Sequence, residues 1–446
     1  MLSDIASRFL LVFLGIETIL QEATIYRRRQ RLREIESGLG LGGAYGAMLR
    51  RIEAQGGERA RLGMAVLMWI SHSRRPLLVD ELCHAIAIRI GSDHLDNDEI
   101  LPISTWLSYC QGLVMVDKGA STVRLIHFSL QEYLGTHPDV FDKAHATMAE
   151  TCLTYLNFQS VRHLSADSLP NPRDTPFLAY SSLYWGTHMR MEPSDRAKAF
   201  AVELLGEWDS HICAKSLWRS VRYRFRIPYD RKCAGPFPAL HCISYFGIAN
   251  VTDTLIQNNR WDVNQRGDAG MTPLIWAASC GHEKVVELLL RQEDTQPDMV
   301  DNNGRTGLLC AARNGHEAVV KLFLGPQFVN PGRIGRLWGA PQVVGKLFNR
   351  RYVNPNARDR RSGRTPLSWA AENGHEGIVK LLLGRNDVNP ETPDTYYGQT
   401  PLSWAAQDGH EGVVKLLLER RDINPNGSIK SGQTPLFSAA RMAMRV

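Results

Sequence analysis

Apolar residues in the C-terminal half recur in short stripes separated by the same polar turn residues. Thr-Pro-Leu or Thr-Gly-Leu begins at positions 272, 306, 365, 400 and 434, at intervals of 34, 59, 35 and 34 residues, and an Ala-Ala pair follows each time. Four of these units continue into Gly-His-Glu, beginning at positions 281, 315, 374 and 409, and then into a Val/Leu stripe. A fixed period indicates a repeat solenoid. Each unit predicts two short helices.

The residues at the helix ends agree with this interpretation. Thr supplies an N-cap oxygen, and Pro at the first helical position loses no N–H that the helix needs. Gly281 and its equivalents can adopt the left-handed conformation that ends the first helix, because glycine has no Cβ.

The pattern Thr-Pro-Leu-x-x-Ala-Ala-x-x-Gly-His closely resembles the ankyrin repeat over about half of the chain. Leu240-His241 lies one period upstream and is similar to a degenerate first unit. The resemblance implies six to seven repeats over residues 236–446.

Two of these repeats are expected to be irregular. Trp338-Gly339-Ala340 and Val343–Phe348 read as remnants of a repeat truncated near residues 325–355. The last unit stops after Ala439-Ala440, before a second helix. Since terminal repeats normally present a polar outer face, we expect fraying after Gln433 or a truncated gene product.

The N-terminal half follows another pattern. Apolar spacing predicts helices over residues 60–71, from Pro76 onward, and over 103–110. Two β-rich runs, 113–117 and 123–127, flank a Lys-Gly-Ala-Ser turn and predict a β-hairpin. Three helices followed by a hairpin describe a winged helix.

Residues 69–72 (Trp-Ile-Ser-His), 80–85 (Asp-Glu-Leu-Cys-His-Ala) and 123–133 (Val-Arg-Leu-Ile-His-Phe-Ser-Leu-Gln-Glu-Tyr) resemble the winged-helix module of fungal NACHT-type (NLR-like) signalling ATPases of the STAND class, which carry C-terminal ankyrin repeats. The resemblance implies a mainly α fold, in which a winged-helix module and a helical linker precede an ankyrin-repeat α-solenoid. The domains implied are 1–59, a helical end of a NACHT region; 60–135, the winged helix; 136–235, the linker; and 236–446, the repeats.

One departure limits this resemblance. No G-x-x-x-x-G-K-[ST] phosphate-binding loop occurs in the sequence, so the nucleotide switch of the family cannot be carried over. An ATP-driven switch would require a NACHT core encoded upstream of this chain.

Composition excludes several classes of protein. Apolar residues make up 43% and charged residues 22%, and the net charge is +6, so collagen-like, disordered and strongly basic nucleic-acid-binding classes do not fit. The eight cysteines are scattered without metal-ligand or disulfide spacing, which favours reduced, cytoplasmic thiols. Phe9–Ile16 is predicted to be a buried helix, and no stretch is long enough to span a membrane.

Motifs that imitate catalytic or cofactor sites fail on their context. Gly38–Gly43 satisfies G-x-G-x-x-G but lacks a preceding strand, and Leu77–Glu81 resembles a Walker B strand although Pro76 favours a helix start. The repeat histidines lie too far apart to share a metal and are expected to stabilise turns. They are His282, His316, His375 and His410. G-x-S-x-G and H-E-x-x-H are absent from the sequence. We therefore predict no enzyme, catalytic residue, cofactor, metal or small-molecule substrate.

A nucleic-acid-binding regulator is the alternative hypothesis. Two basic clusters could contact phosphates. The first contains Arg27, Arg28, Arg29, Arg31 and Arg33. The second contains Arg219, Arg222, Arg224, Arg226, Arg231 and Lys232. However, the third helix of the winged helix contains no Lys or Arg, where groove-reading helices normally have several. The sequence therefore argues against nucleic acid as the partner.

The preferred hypothesis is a non-catalytic, cytoplasmic protein-interaction regulator. In it the repeats bind a protein, and the winged helix relays or restrains that binding event. The resemblance implies contacts from the hairpin tips and the concave face, where Tyr396 and Tyr397 are the first pair to mutate. Trp276, Trp369 and Trp404 are expected to pack. The predicted contact residues are Asp268, Met271, Ser279, Asn302, Asn303, Arg305, Arg313, Asn314, Arg361, Arg364, Glu372, Asn373, Tyr396, Tyr397, Gln399, Gln407 and Asp408.

Overall fold

The computed structural model of the chain divides into two compact units, 1–217 and 218–446, called here the N-terminal and C-terminal units. The residues that the structure describes are 23–30, 41–164, 174–225, 237–257, 261–325, 353–427 and 429–443. The predicted helix at Phe9–Ile16 and the repeat remnants at Trp338–Ala340 and Val343–Phe348 lie outside them.

Helices dominate the N-terminal unit, and three short strands form one sheet. Its described elements are α1 (Leu41–Ala54), α2 (Gly57–His72), β1 (Leu77–Leu78), α3 (Val79–Ala87), α4 (Ile103–Tyr109), β2 (Val114–Asp117), β3 (Thr122–Leu125), α5 (Phe128–Thr136), α6 (Ala144–Asn157), α7 (Gln159–Arg162), α8 (Leu178–Met191), α9 (Asp195–Gly206) and α10 (Ile212–Arg224), the last of which contains the boundary between the units.

The sheet confirms the predicted hairpin and corrects the segment before it. β2 and β3 pair antiparallel, with Val116 opposite Val123. The order is β1-β3-β2, and Leu77 pairs with Val123 where the sequence predicts the start of a helix at Pro76. Residues Leu77 and Leu78 are extended because they pair with β3, which buries Leu77 to 1% exposure, and α3 therefore begins at Val79.

The acidic pair that resembles a Walker B site has a structural role. Glu81 is buried, and its carboxylate accepts hydrogen bonds from both terminal nitrogens of Arg75 (2.6 and 2.5 Å) and from the backbone N–H of Leu78 (2.9 Å). These bonds tie the end of β1 to the first turn of α3, and they raise the pKa of Arg75. The carboxylate therefore acts as a helix cap, as its place in the first turn predicts.

Side chains from distant parts of the sequence form the core of the N-terminal unit. Trp69 of α2 packs edge-on against Phe177 and Tyr180, with ring centroids 5.6 and 6.0 Å away, and α6 packs against α8 and α9. Beside them, His72, His145 and His188 form a cluster in which the Nδ1 atoms of His145 and His188 lie 2.9 Å apart. The hydroxyl of Tyr180 lies 3.0 Å from Nε2 of His188. Burial lowers the pKa of His188 to about 3.

In the C-terminal unit, helix pairs follow one another at the predicted period. The described helices form repeat 1 with α11 (Ala239–Phe246) and α12 (Ala249–Gln257), repeat 2 with α13 (Pro273–Ser279) and α14 (Glu283–Arg291), repeat 3 with α15 (Gly307–Arg313) and α16 (Glu317–Leu324), repeat 4 with α17 (Pro366–Glu372) and α18 (Glu376–Leu383), repeat 5 with α19 (Pro401–Gln407) and α20 (Glu411–Leu418), and the incomplete repeat 6 with α21 (Pro435–Ala443).

The predicted end signals are confirmed. Oγ1 of Thr272 accepts a hydrogen bond from the N–H of Ile275 at 3.3 Å, and the equivalent bond occurs at Thr306, Thr365 and Thr400. Gly281 has φ +75°, the left-handed conformation expected after the first helix. Repeats 2 to 5 therefore begin and end their first helices by the same two devices.

First helices pack on first helices and second helices on second helices along the unit. Repeat 3 packs directly on repeat 4, since α15 contacts α17 and α16 contacts α18. The apolar stripes form one continuous core that includes Leu274, Val286, Leu308, Leu367 and Leu402. Buried core area of this kind stabilises each repeat through its neighbours.

The repeat histidines stabilise turns, as expected, and their rings do so between repeats. Nε2 of His282, His316, His375 and His410 lies 2.8, 3.1, 3.1 and 2.8 Å from a backbone carbonyl oxygen at the end of the first helix of the repeat before. Because a carbonyl only accepts, each Nε2 carries the proton and donates. The ring also covers the turn glycine of that earlier repeat: a Cβ on Gly374 would lie 2.6 Å from Nδ1 of His410.

Candidate protein-interaction surface

The loops between repeats form hairpins whose tips are joined into one ribbon. Backbone N–H groups of Asn302, Arg360, Thr395 and Lys430 donate to a carbonyl oxygen of the preceding hairpin at 2.7 to 2.9 Å. Within each hairpin the ends also pair, as in Asp359 N–H to Arg364 O at 3.0 Å. The tips therefore form a single backbone surface with fixed spacing.

Buried aspartates shape these hairpins. Oδ1 of Asp394 accepts from the N–H of Tyr397 at 2.7 Å, and its Oδ2 accepts from the indole of Trp404 at 3.2 Å. Asp359 is bonded in the same way to Ser362 and to the indole of Trp369. These hydrogen bonds lower the pKa of Asp359 despite its burial, although burial is the largest single influence and acts in the opposite direction.

Tyr396 and Tyr397 project from one of these fixed tips. Both side chains are 61% exposed, and their ring centroids lie 6.4 Å apart. The backbone below them is held by Asp394 and by the N–H of Lys430, which donates to Tyr397 O at 2.9 Å. Exposed aromatic rings on an ordered backbone contribute contact area with little loss of conformational entropy on binding.

The predicted contact residues divide by exposure. Three are buried, Met271, Ser279 and Gln399 at 3%, 7% and 3%, because their side chains pack inside the repeats, and we leave them out of the proposed surface. Asp268 is partly buried and accepts a hydrogen bond from the indole of Trp218 at 3.1 Å. The partly buried others are Arg305, Arg364, Glu372 and Gln407. The exposed ones are Asn302, Asn303, Arg313, Asn314, Arg361, Asn373, Tyr396, Tyr397 and Asp408.

The recurring tryptophans do more than pack. Trp276 and Trp404 are buried, as expected, but Trp369 is partly exposed. The guanidinium of Arg313 lies 4.3 Å from the ring centroid of Trp369, and that of Arg364 lies 4.6 Å from Trp369 and 3.6 Å from Trp404. These four side chains form a row across repeats 3 to 5 that we call the Arg–Trp ladder. Sequence reasoning missed it, although a Trp and an Arg at equivalent repeat positions were visible signals.

An apolar groove lies between repeat 5 and α21. It has a volume of about 440 Å³, and Leu402, Val414, Leu418 and Leu436 are among its lining residues. Leu418 and Leu436 are 49% and 76% exposed.

Only some of the other sequence candidates are described, since Arg31, Arg33, Arg226, Arg231 and Lys232 lie outside the described residues. Gly42 and Gly43 lie within α1, while Gly38–Gly40 are outside the described residues. Arg219 and Arg224 are exposed on α10, and Arg224 donates to the hydroxyl of Tyr245 at 3.3 Å. In the described part of the chain, no group of three or more His, Cys, Asp or Glu could hold a metal, and no helix is long and apolar enough to cross a bilayer.

Comparison with known families agrees with this architecture. A family model for ankyrin repeats matches three times, at residues 239–333, 337–429 and 386–444, and a model described as the winged helix domain of GPI inositol-deacylase matches residues 51–150. The chain contains ankyrin repeats and a winged-helix domain. The predicted fold class, mainly α with an ankyrin solenoid, is confirmed.

The chain is similar to the crystal structure of the ankyrin repeat domain of Bcl-3, a member of the IkappaB protein family, with 21% identity and a TM-score of 0.36 over 46% of this chain and 81% of that one. No curated protein matches the chain significantly. Ankyrin repeats indicate protein–protein interaction.

Proposed function

We propose that this chain is a non-catalytic, cytoplasmic regulator that binds another protein through the tips and concave face of its ankyrin repeats. In this proposal the winged helix and helical linker relay or restrain the binding event, as the resemblance to NACHT-type STAND proteins implies. The domain bounds 1–59, 60–135, 136–235 and 236–446 belong to the same proposal.

One observation carries the proposal: Tyr396 and Tyr397 stand 61% exposed on a tip whose backbone is bonded on both sides. Most of the surface of both rings lies in solvent, where a partner can reach it. Tyr is also enriched among the residues that dominate interface energies. The tip is therefore an ordered surface from which two aromatic anchors can enter a pocket on a partner.

The experiment selects binders from a random peptide library displayed on phage, with the full chain immobilised. We expect peptides that bind the wild-type chain to lose affinity at least about tenfold when Tyr396→Ala is combined with Tyr397→Ala. Tyr223→Ala is the matched control, since Tyr223 is 89% exposed on α10. If no peptide is selected, or if the double variant binds every selected peptide as the wild type does, the proposal is wrong.

A further inference from the structure

Two positions, the residue before the capping Thr and the last residue of the first helix, hold bonded side chains in repeats 4 and 5. In repeat 4 the pair is Arg364 and Glu372, joined by an ion pair of 2.5 Å. In repeat 5 it is Gln399 and Gln407, joined by a hydrogen bond from Nε2 to Oε1 of 2.6 Å. In both repeats one member of the pair donates a hydrogen bond to the other.

Repeat 3 breaks this arrangement, because both positions hold a cation, Arg305 and Arg313. Arg305 is neutralised by the buried Asp301, with a closest N–O distance of 2.6 Å. Arg313 is exposed and forms no ion pair or hydrogen bond within the described residues through its side chain. Partial desolvation of its guanidinium and the charge of Arg305 both lower the pKa of Arg313, so repeat 3 contains a cation that its own pair partner disfavours.

The Arg–Trp ladder holds this cation in place. The guanidinium of Arg313 lies 4.3 Å from the ring centroid of Trp369, within the range of a cation–π interaction. The indole N–H of Trp369 donates to Asp359 at 3.0 Å, which fixes the ring. Arg313 is therefore ordered while its N–H groups remain available, and a planar guanidinium offers them in the fork geometry that matches a carboxylate.

The acids near Arg313 are already engaged. Glu372 and Asp359 act on it electrostatically, but Glu372 is bound to Arg364 and Asp359 to Ser362 and Trp369. On the adjoining tip, Arg360 and Arg361 are exposed and have no carboxylate contact in the described structure. Repeat 3 and the tip after it therefore present an excess of positive charge toward solvent.

The pair positions and the helix end do not continue this positive charge along the repeats. One repeat further, the pair is uncharged (Gln399 and Gln407), and the exposed residue after it is the acidic Asp408. A nucleic acid, which carries one phosphate per nucleotide, is bound by extended rows of Lys and Arg. A short acidic stretch of a protein matches the local charge better.

We propose that Arg313, stacked on Trp369, binds a carboxylate in an acidic segment of the protein partner, with Arg360 and Arg361 attracting the same segment. This inference rests on the proposed function, because it names the chemistry of the partner of that surface. The carboxylate completes in repeat 3 the pairing that Glu372 provides in repeat 4.

The test measures binding of two fluorescein-labelled ten-residue peptides to the full chain by anisotropy, one alternating Glu with Gly and the other Gln with Gly. We expect the Glu peptide alone to bind. Arg313→Gln should weaken binding about tenfold, the worth of a hydrogen bond to a charged group, and Arg313→Lys should weaken it less. Arg421→Gln, which removes an exposed charge elsewhere on repeat 5, should leave the affinity unchanged.

Arg313→Glu separates binding from folding. The substitution places an acid opposite Arg305, as Glu372 lies opposite Arg364, so we expect binding to disappear while the Tm stays within a few degrees of wild type. Loss of binding only together with a lowered Tm would assign Arg313 a structural role and overturn the inference.

The remaining outcomes distinguish this inference from the proposed function. Peptides selected from the random library that need Tyr396 and Tyr397 but lack Asp and Glu, and that ignore Arg313→Gln, would leave the proposed function standing and overturn the inference. Equal losses of affinity from Arg313→Gln and Arg421→Gln would mean that any positive charge on the surface has the same effect, and would overturn the inference. Tighter binding of a ten-nucleotide oligothymidylate through Arg313 would assign the site to nucleic acid and also overturn it.

Discussion

The N-terminal unit and the ankyrin repeats are both built mainly of helices, yet their contacts differ in range and in repetition. In the N-terminal unit the core contact of Trp69 with Phe177 joins residues 108 positions apart and occurs once. In the repeats, a histidine donates to a carbonyl oxygen of the preceding repeat at four successive junctions. One unit depends on single long-range contacts, and the other on a contact copied along the chain.

This difference sets how a local change spreads. When each repeat contacts only its neighbours, stability is approximately a sum of repeat and junction contributions, and damage stays local. When α2, α6 and α8 share one core, the loss of a central side chain affects all of them together. The two units should therefore respond differently to equivalent substitutions.

The largest expected effect is that of Trp69→Ala. Trp69 is 2% exposed in the shared core, so its removal should destabilise the N-terminal unit by about 3 to 5 kcal/mol. Hydrogen exchange measured by mass spectrometry should show lower protection across α2, α6 and α8 together.

Trp404→Ala is the matched variant in the repeats. It removes the contact of Trp404 with Arg364 and its hydrogen bond to Asp394, and we expect loss of protection in repeats 4 to 6 only. Equal loss in repeats 1 and 2 would show that the repeats unfold as one block, and the contrast between the units would fail.

The sequence could predict those features whose causes lie within one period. Thr272 caps a helix by accepting a hydrogen bond from Ile275, only three residues further along the chain. Gly281 adopts positive φ in a turn defined by its own neighbours, so both features are recognisable from local sequence. The hairpin of β2 and β3 is equally local. Register also predicts Arg313 as a contact residue, a role that stays a prediction.

Features that depend on a distant partner could not be predicted in this way. β1 has two residues, and it exists because Val123 lies opposite Leu77, while Pro76 and the acids after it favour a helix start. The stacking of Arg313 on Trp369 requires repeat 3 to pack directly on repeat 4 across 56 residues of sequence. The cluster of His72, His145 and His188 joins three helices that no short pattern relates.

Lowering the pH should also reduce the stability of the two units to different extents. The effect is smaller than that of the substitutions above and grows as the pH falls. Burial lowers the pKa of His72, His145 and His188 below the ordinary value of 6.5, to about 3 for His188. The unfolded chain then binds more protons than the folded one below pH 6.5. Stability is therefore complete above that pH and decreases below it, by up to about 1.4 kcal/mol per pH unit for each histidine.

The N-terminal unit should lose stability more steeply, because more of its histidines are affected. Burial also lowers the pKa of His84 and His211 there, whereas in the described part of the repeats it lowers that of His241, to about 4. Regional hydrogen exchange between pH 7.5 and 5 checks this. His188→Gln should flatten the dependence in the N-terminal unit alone, and parallel curves for the two units would contradict the prediction.

The smallest effect isolates a single junction between repeats. Gly374 and Gly409 have φ of +72° and +76°, so Ala at either position should cost about 1 to 2 kcal/mol for the left-handed backbone. A Cβ at Gly374 also meets His410 at 2.6 Å, whereas nothing lies within 4 Å of one at Gly409. His410 must then move and weaken its 2.8 Å hydrogen bond to Glu372 O, which adds about 1 kcal/mol. Urea unfolding of Gly374→Ala and Gly409→Ala measures this difference directly. Equal losses would mean that the copied histidine contact contributes nothing to holding neighbouring repeats together, and that their apolar core alone does so.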